Sequence, residues 1–285
     1  MNVLVLGSNG MIGNAIFLVL RNDTKIKVFG SLRDIKIKHK FFFDIDKNRF
    51  IEVDPFNYEA LVQNIKNIQP DLIINCIGIT KHVFKKYSNE IIKYINSEFP
   101  HQLKILAETY KCRLLQISTD CVFSGDTGDY KENDIPDSID LYGITKKKGE
   151  ILNSSNVLTL RTSIIGHEVN TNYGLLEWFL SQTNCSGYPK AIFSGLTNVE
   201  FAKIIRDLII WNKKLSGLYH VGGLKINKYD LLFKIKEEYK NKVILKKKYD
   251  MIVNRSLNSD KFRLKTNYIS KEWNLLIREM NEFYK

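Results

Sequence analysis

Through the first 120 residues, short apolar runs alternate with longer segments in which apolar positions recur every three or four residues. NVLVLG (2–7) has the length and content of a buried strand, and MIGNAIFLVLRN (11–22) carries helical spacing. KIKVFGS (25–31) reads as a second strand, YEALVQNIKNIQP (58–70) as a helix closed by Pro70, and DLIINCIG (71–78) as a strand buried on both faces. FPHQLKILAETYK (99–111) predicts another helix with Pro100 in its first turn, and CRLLQIST (112–119) another strand. Strands that alternate with helices pair in parallel, through right-handed crossovers that cover both faces of a sheet. The expected class is therefore α/β, a Rossmann-like doubly wound parallel sheet. Such sheets bind ligands beyond the carboxyl ends of their strands.

The second half is less regular. NVLTLRTSIIG (156–166) looks like a strand running into a loop, and residues 167–195 are rich in Gly, Asn and Ser with little periodicity. NVEFAKIIRDLIIWNKK (198–214) is a strong helix pattern, GLYHVGG (217–223) a strand, and KYDLLFKIKEEYK (228–240) a further helix. We expect a dinucleotide-binding domain over 1–165, with late sheet elements from about 197–223. A smaller C-terminal substrate lobe, interleaved with it, is expected over 166–285.

A hydrophobic fraction of 44% supplies a sizeable core and excludes a disordered chain. No apolar run is long enough to span a bilayer and no basic leader is seen, so a cytoplasmic protein without membrane insertion is expected. Cys76, Cys112, Cys121 and Cys185 are far apart and form no CxxC pair, which argues against zinc and disulfide frameworks. The net charge of +12 raises nucleic-acid binding, yet the lysines are scattered and no basic stripe interleaves with stacking aromatics. The expectation is no nucleic-acid partner, and a solvated lysine-rich surface. Its field can also draw in a phosphorylated small molecule.

The first strand runs into Gly7-Ser8-Asn9-Gly10-Met11-Ile12-Gly13, a GxxGxxG loop that opens a helix. One glycine permits the tight turn, one lets the backbone approach a pyrophosphate, and Gly13 lets helix pack on strand. The helix N-terminus offers free N–H groups and a positive dipole end to phosphates. The second strand ends in Gly30, Ser31 and Arg33 instead of the acid usual for NAD, so Ser31 and Arg33 are candidates for a 2′-phosphate. The alternative for Arg33 is a solvated loop residue. NADPH is the expected cofactor, with NADH as the alternative.

The run STDCVFSG (118–125) ends a buried strand on Ser118, Thr119 and Asp120, at the edge where a ligand is expected. In LYGITKKKGE (141–150), Tyr142 and Lys146 stand four residues apart, on one face of a helix. A phenol is a poor acid–base group at neutral pH, and a nearby ammonium brings its pKa towards the working range. Thr119, opposite, would hold the substrate oxygen.

With GSNGMIG, NCIG (75–78), STDCVFSG, YGITK and RTSIIG (161–166), the chain resembles an extended short-chain dehydrogenase/reductase, closest to the dTDP-4-dehydrorhamnose reductase family. The matching motifs spread over roughly the first 170 residues, with GLYHVGG and RSLNSDKF (255–262) as looser landmarks. The resemblance implies Thr119 and Tyr142 at the carbonyl, Lys146 on the nicotinamide ribose and Tyr142, and Asp120 beside them. It implies Asn75 and Gly78 in the cofactor crevice, Asp54 near the adenine, and Asn9, Met11 and Ile12 in the phosphate loop. The family's NxAG reads NCIG here, which makes Cys76 and Ile77 bulkier than its pattern. Some relatives dimerise around a metal held by acidic side chains; a homodimer is thus an expected partner state, and no metal ligands are identified.

Related 4,6-dehydratases have an acid pair after the threonine, whereas here Cys121 follows Asp120. Simple carbonyl reduction is the expected chemistry: NADPH-dependent reduction of the 4-keto group of a nucleotide-linked deoxysugar for surface polysaccharide synthesis. The alternatives are a nucleotide-sugar 4-epimerase and a non-catalytic NADP-binding regulatory subunit. Arg161 and Tyr188-Pro189-Lys190 are candidates for the substrate's diphosphate and base, with solvated loop residues as an equal reading.

Overall fold

The structure is a computed structural model and describes residues 1–36, 42, 44–169 and 171–285. Its first elements are β1 (Asn2–Leu6), α1 (Met11–Leu20), β2 (Lys27–Leu32), β3 (Phe50–Glu52), α2 (Tyr58–Ile68), β4 (Leu72–Asn75), α3 (Asn89–Lys93), α4 (Phe99–Thr109), β5 (Arg113–Thr119), α5 (Leu141–Lys148) and β6 (Val157–Thr162). Then come β7 (Ile164–Ile165), α6 (Leu175–Leu180), β8 (Asn184–Gly187), β9 (Ala191–Phe193), β10 (Leu196–Thr197), α7 (Asn198–Ile204) and β11 (Gly217–His220). The chain closes with β12 (Ile226–Asn227), α8 (Lys228–Glu238), β13 (Ile244–Lys247), β14 (Val253–Asn254), α9 (Asp260–Thr266) and α10 (Trp273–Phe283).

The central sheet has seven strands in the order β11-β6-β5-β4-β1-β2-β3, each neighbouring pair parallel. Alternation along β1 shows why both faces are covered. Val3 and Val5 enter the core beneath α1 and α7, while Leu4 and Leu6 enter the core beneath α2 and α4. All four are fully buried, each worth about 1.5–3 kcal/mol of transfer free energy. The doubly wound α/β fold predicted from the periodicity is the fold observed. The chain order reverses between β1 and β4, and the crevice opens there, beyond their carboxyl ends.

Local chemistry sets the helix ends. The Asn57 side chain caps α2 by accepting from the Ala60 amide at 3.0 Å, and Gln69 closes it at φ 47° before Pro70. One helical run differs from expectation. It begins at Asn89 and passes through a π-turn at 94–98 before Phe99, so Pro100 sits inside a longer helical stretch. The wider i→i+5 turn accommodates a proline that cannot donate to the ladder.

The segment with little periodicity, 167–195, contains α6, β8 and β9. Its strands are short and their partners are distant. β8 pairs in parallel with β13, and β9 pairs antiparallel with β12 and parallel with β14. Among the described residues, no helix is long and apolar enough to cross a membrane.

Candidate active site

The glycine loop leaves β1 through Gly7, whose φ of +77° suits a residue without a side chain. A Cβ there would also press on Ile77, 3.1 Å from its Cγ1. At Gly13 an added Cβ would overlap the Gly7 carbonyl, so the start of α1 lies directly against the loop. Gly10 precedes α1, which has neither a side-chain cap nor an acid in its first turn. By contrast Asn57, Asp140, Thr197 and Asn227 cap α2, α5, α7 and α8. The N–H groups at the start of α1 are thus left without a side-chain acceptor. Asn9, Met11 and Ile12 are half-buried along this rim.

Of the residues expected to read the ribose end, Ser31 is not brought to the crevice. It is 2% exposed, and its hydroxyl accepts from the Gly7 amide at 2.9 Å, bracing the loop. The room at Gly30 is filled by Ser8 Oγ, 2.6 Å from where a Cβ would stand, and by the Phe17 ring. Arg33 is exposed and reaches the Tyr87 hydroxyl at 3.3 Å. Asp54 is exposed, with its carboxylate accepting from the Phe56 amide at 3.0 Å.

Asn75 closes β4 as a buried strut. Its amide donates to Gln116 Oε1 at 2.8 Å and its oxygen accepts from the Ile77 amide at 3.1 Å. That bond shapes the turn on which Gly78 is exposed, where an added Cβ would come into ordinary contact with Asn96 Oδ1 at 3.5 Å and Lys146 Nζ at 3.8 Å. Asn96 straps this loop to α5: it accepts from the Ile79 amide at 2.8 Å and donates to Ile79 O at 2.9 Å and Thr145 Oγ1 at 3.2 Å. The sequence reading passed over Asn96; its signal is a polar residue at a buried helical position in YINSEF.

At the end of β5, Ser118 turns inward and donates to Glu150 at 2.6 Å, and Thr119 and Asp120, also buried, follow at the strand's carboxyl end. Thr119 Oγ1 lies 3.2 Å from Asp120 Oδ1 and accepts from the Cys121 amide at 3.1 Å. Tyr142 is brought against the Thr119 hydroxyl by α5, which Asp140 caps through the Gly143 amide at 2.9 Å. Here the expectation of a phenol pKa drawn down by Lys146 is corrected: burial raises the Tyr142 pKa well above the usual phenol value, the nearby Cys121 and Asp120 push the same way, and the Thr119 hydroxyl opposes them. Lys146 is 7% exposed and donates to Ile117 O at 2.8 Å. Burial lowers its pKa to about 8, with Glu150 pulling upward. It therefore remains mostly an ammonium at pH 7. The Asp120 pKa is raised by burial and drawn back by Lys228 and Arg255.

Arg161 requires a correction. It was expected to face a diphosphate, but it is 2% exposed inside the molecule. Its guanidinium donates to both Glu150 oxygens at 2.8 and 2.7 Å, meets His220 Nε2 at 3.3 Å, and lies 5.1 Å from the Phe123 ring centre. Tyr188 and Pro189 are half-buried and Lys190 is exposed, in the turn that enters β9. Two cations that the sequence reading did not single out do reach the site: Lys228 and Arg255 both act on Asp120. Only tertiary contacts put them there: Lys228 opens α8, and Arg255, just after β14, donates to Phe123 O at 3.0 Å.

A family model described as the RmlD substrate binding domain matches residues 1–184. A probable low-salt glycan biosynthesis reductase of Haloferax volcanii is 30% identical over 233 residues, which cover 78% of this chain and 75% of that protein. Methionine adenosyltransferase 2 subunit beta of Bos taurus is 26% identical over 170 residues, 59% of this chain; the match spans 48% of that relative's length. Among solved structures, dTDP-4-dehydrorhamnose reductase of Bacillus anthracis in complex with NADP matches with a TM-score of 0.81 at 20% identity, covering 100% of this chain and 99% of that one. At that identity the likeness is one of fold.

Proposed function

The chain belongs to the RmlD substrate binding domain family, of the extended short-chain dehydrogenase/reductase type, and from that premise we propose that it is an NADPH-dependent reductase of the 4-keto group of a nucleotide-linked deoxysugar. One observation carries the reading: Thr119 and Asp120 end β5, α5 carries Tyr142 and Lys146, and the uncapped, glycine-lined start of α1 follows the carboxyl end of β1, two strands away in the same parallel sheet. The relatives named as a glycan biosynthesis reductase and a dTDP-4-dehydrorhamnose reductase support the substrate class.

The residues present suit a dinucleotide. Gly7, Gly10 and Gly13 keep side chains out of the cradle, the first N–H groups of α1 lack a side-chain acceptor, and Arg33 offers an exposed cation for a 2′-phosphate. Bound there, NADPH would supply the hydride for the carbonyl carbon, and the chain's own residues handle the oxygen and its proton. Tyr142, a phenol and so protonated at neutral pH, donates that proton as the C=O becomes CH–OH. Lys146, whose ammonium donates to Ile117 O at 2.8 Å, serves the ribose hydroxyls. Thr119, turning its one hydroxyl proton from Asp120 Oδ1 to the substrate oxygen, donates a second hydrogen bond there, which leaves Asp120 free to accept from a neighbouring sugar hydroxyl.

The test follows absorbance at 340 nm with NADPH, then NADH, and a panel of 4-keto nucleotide sugars. Tyr142→Phe keeps the ring, so cofactor affinity should hold while kcat falls by roughly 10²–10⁴-fold. Near-normal turnover in that variant, or no substrate-dependent oxidation by the wild type with any sugar, rejects the reading. A second reading, a cofactor-binding subunit without turnover, is favoured by the bovine relative named as a subunit of another enzyme. Its mark would be fixed-stoichiometry co-purification with an unrelated enzyme.

A further inference from the structure

A side chain caps α2, α5, α7 and α8, whereas α1 begins at Met11 without one. A cap there would occupy N–H groups that a phosphate needs. The first turn of α1 is held from the side instead. Asn198, the first residue of α7, donates from its Nδ2 to Met11 O at 3.2 Å and to the Tyr284 hydroxyl at 2.9 Å. That hydroxyl in turn donates to Asn14 Oδ1 at 3.4 Å, where the first turn closes. Both amide protons of Asn198 and the phenol proton are thus placed.

The strap is built from segments far apart in the chain. Thr197 caps α7 through the Glu200 amide at 3.3 Å, which leaves the Asn198 side chain for α1. Gly166 gives it room, since a Cβ there would overlap the Asn198 amide group. The Tyr284 ring centre stands 4.9 Å from that of His167, whose two nitrogens meet Glu177 at 2.6 Å and the Tyr239 hydroxyl at 2.8 Å. Packing alone does not explain the two asparagines. Both are 0% exposed, and among the described residues Asn14 Nδ2 and Asn198 Oδ1 have no hydrogen-bond partner. Leucine at either position would avoid burying an unpaired polar atom.

We infer that Asn198 and Tyr284 are positioning residues for the dinucleotide's pyrophosphate, acting through the first turn of α1. The inference rests on the cofactor cradle proposed above. Met11 O and the Ile12 N–H belong to one planar peptide unit, so holding the oxygen aims the N–H. The Ile12 N–H is among those at the start of a helix that have no acceptor within it. Such groups point out of the helix start, where an anion is favoured. Donors fixed before the ligand arrives are not ordered at its expense, and affinity gains accordingly.

The experiment titrates wild type, Tyr284→Phe and Asn198→Leu calorimetrically, well below each Tm, with NADPH, ADP-ribose 2′-phosphate and adenosine 2′-monophosphate. The last of these lacks the pyrophosphate. Tyr284→Phe keeps the ring and removes one oxygen. Asn198→Leu keeps the approximate volume, and removes both donated bonds together with the unpaired oxygen. Affinity for the two pyrophosphate ligands should fall roughly threefold in Tyr284→Phe and roughly tenfold in Asn198→Leu. Adenosine 2′-monophosphate should bind all three proteins alike. The double variant should match Asn198→Leu, because both residues act through one strap. Unchanged NADPH affinity in Asn198→Leu with a lowered Tm marks a purely structural strap and overturns the inference. An equal loss for adenosine 2′-monophosphate, or no NADPH binding by wild type, overturns it too. Turnover separates it from the reductase reading. Reduction of 4-keto nucleotide sugars with an unchanged KM for NADPH in Asn198→Leu rejects the inference alone; strap-dependent NADPH binding without any turnover rejects the reductase reading alone.

Discussion

Replacing Arg161 by methionine tests whether this residue serves the ligand or the fold. Methionine keeps much of the side-chain volume and removes the charge. The cost follows from what is left behind: a Glu150 carboxylate at 2% side-chain exposure, with Ser118 at 2.6 Å and no guanidinium. Breaking a buried pair from one side typically costs about 3–5 kcal/mol, because the remaining charge is uncompensated. For a chain of this size each kcal/mol moves Tm by roughly 2–3 °C, so a fall of about 6–15 °C is expected. Differential scanning calorimetry and urea unfolding at pH 7.5 measure it. Removing both partners, in Arg161→Met with Glu150→Met, should recover a good part of the loss, since the stranded charge is gone. The KM for nucleotide sugar, measured well below Tm, should change little. An unaltered Tm with a KM raised tenfold or more would refute this account and return Arg161 to the substrate.

His220 predicts acid sensitivity. It is fully buried, its Nδ1 faces Tyr130 O at 2.9 Å, and burial together with the Arg161 charge lowers its pKa from 6.5 to about 3. Above pH 6.5 it is neutral in both states and contributes nothing to pH dependence. Between pH 6.5 and about 3 the unfolded chain takes up a proton that the folded chain refuses, so stability falls by up to about 1.4 kcal/mol per pH unit. His220→Gln should flatten that part of a urea-midpoint-against-pH profile; an unchanged slope would rule the histidine out as its source. At the cofactor end, Gly13→Ala should overlap the Gly7 carbonyl, push α1 off the loop, and weaken NADPH binding at least tenfold by fluorescence titration. Wild-type affinity in that variant would mean that the loop is not the phosphate cradle.

The sequence by itself determined the sheet, and it marked most of the residues of the candidate site. Runs such as NVLVLG and LIINCIG are short, apolar and rich in Val and Ile, the content of strands covered on both faces, and strands that alternate with helices have one economical arrangement. GxxGxxG between strand and helix, and Tyr142 one turn before Lys146, are local patterns, and their geometry needs no distant partner. What tertiary structure decided lies in contacts between residues far apart in the chain. Whether a strand-borne arginine faces solvent, ligand or a carboxylate depends on its neighbour, and Arg161 found Glu150 across the turn from α5 to β6. Ser31 looks like a ribose contact until the Gly7 amide takes its hydroxyl. Lys228 and Arg255 carry no motif, and nothing in KYDLLF or NRSLNS marks them as cations for Asp120. They reach it because β9 pairs with both β12 and β14, which draws residues near 193, 227 and 254 together over the end of β5. Short strands with little periodicity are stable only through such pairings, so their sequence signal is weak where their effect on the site is large.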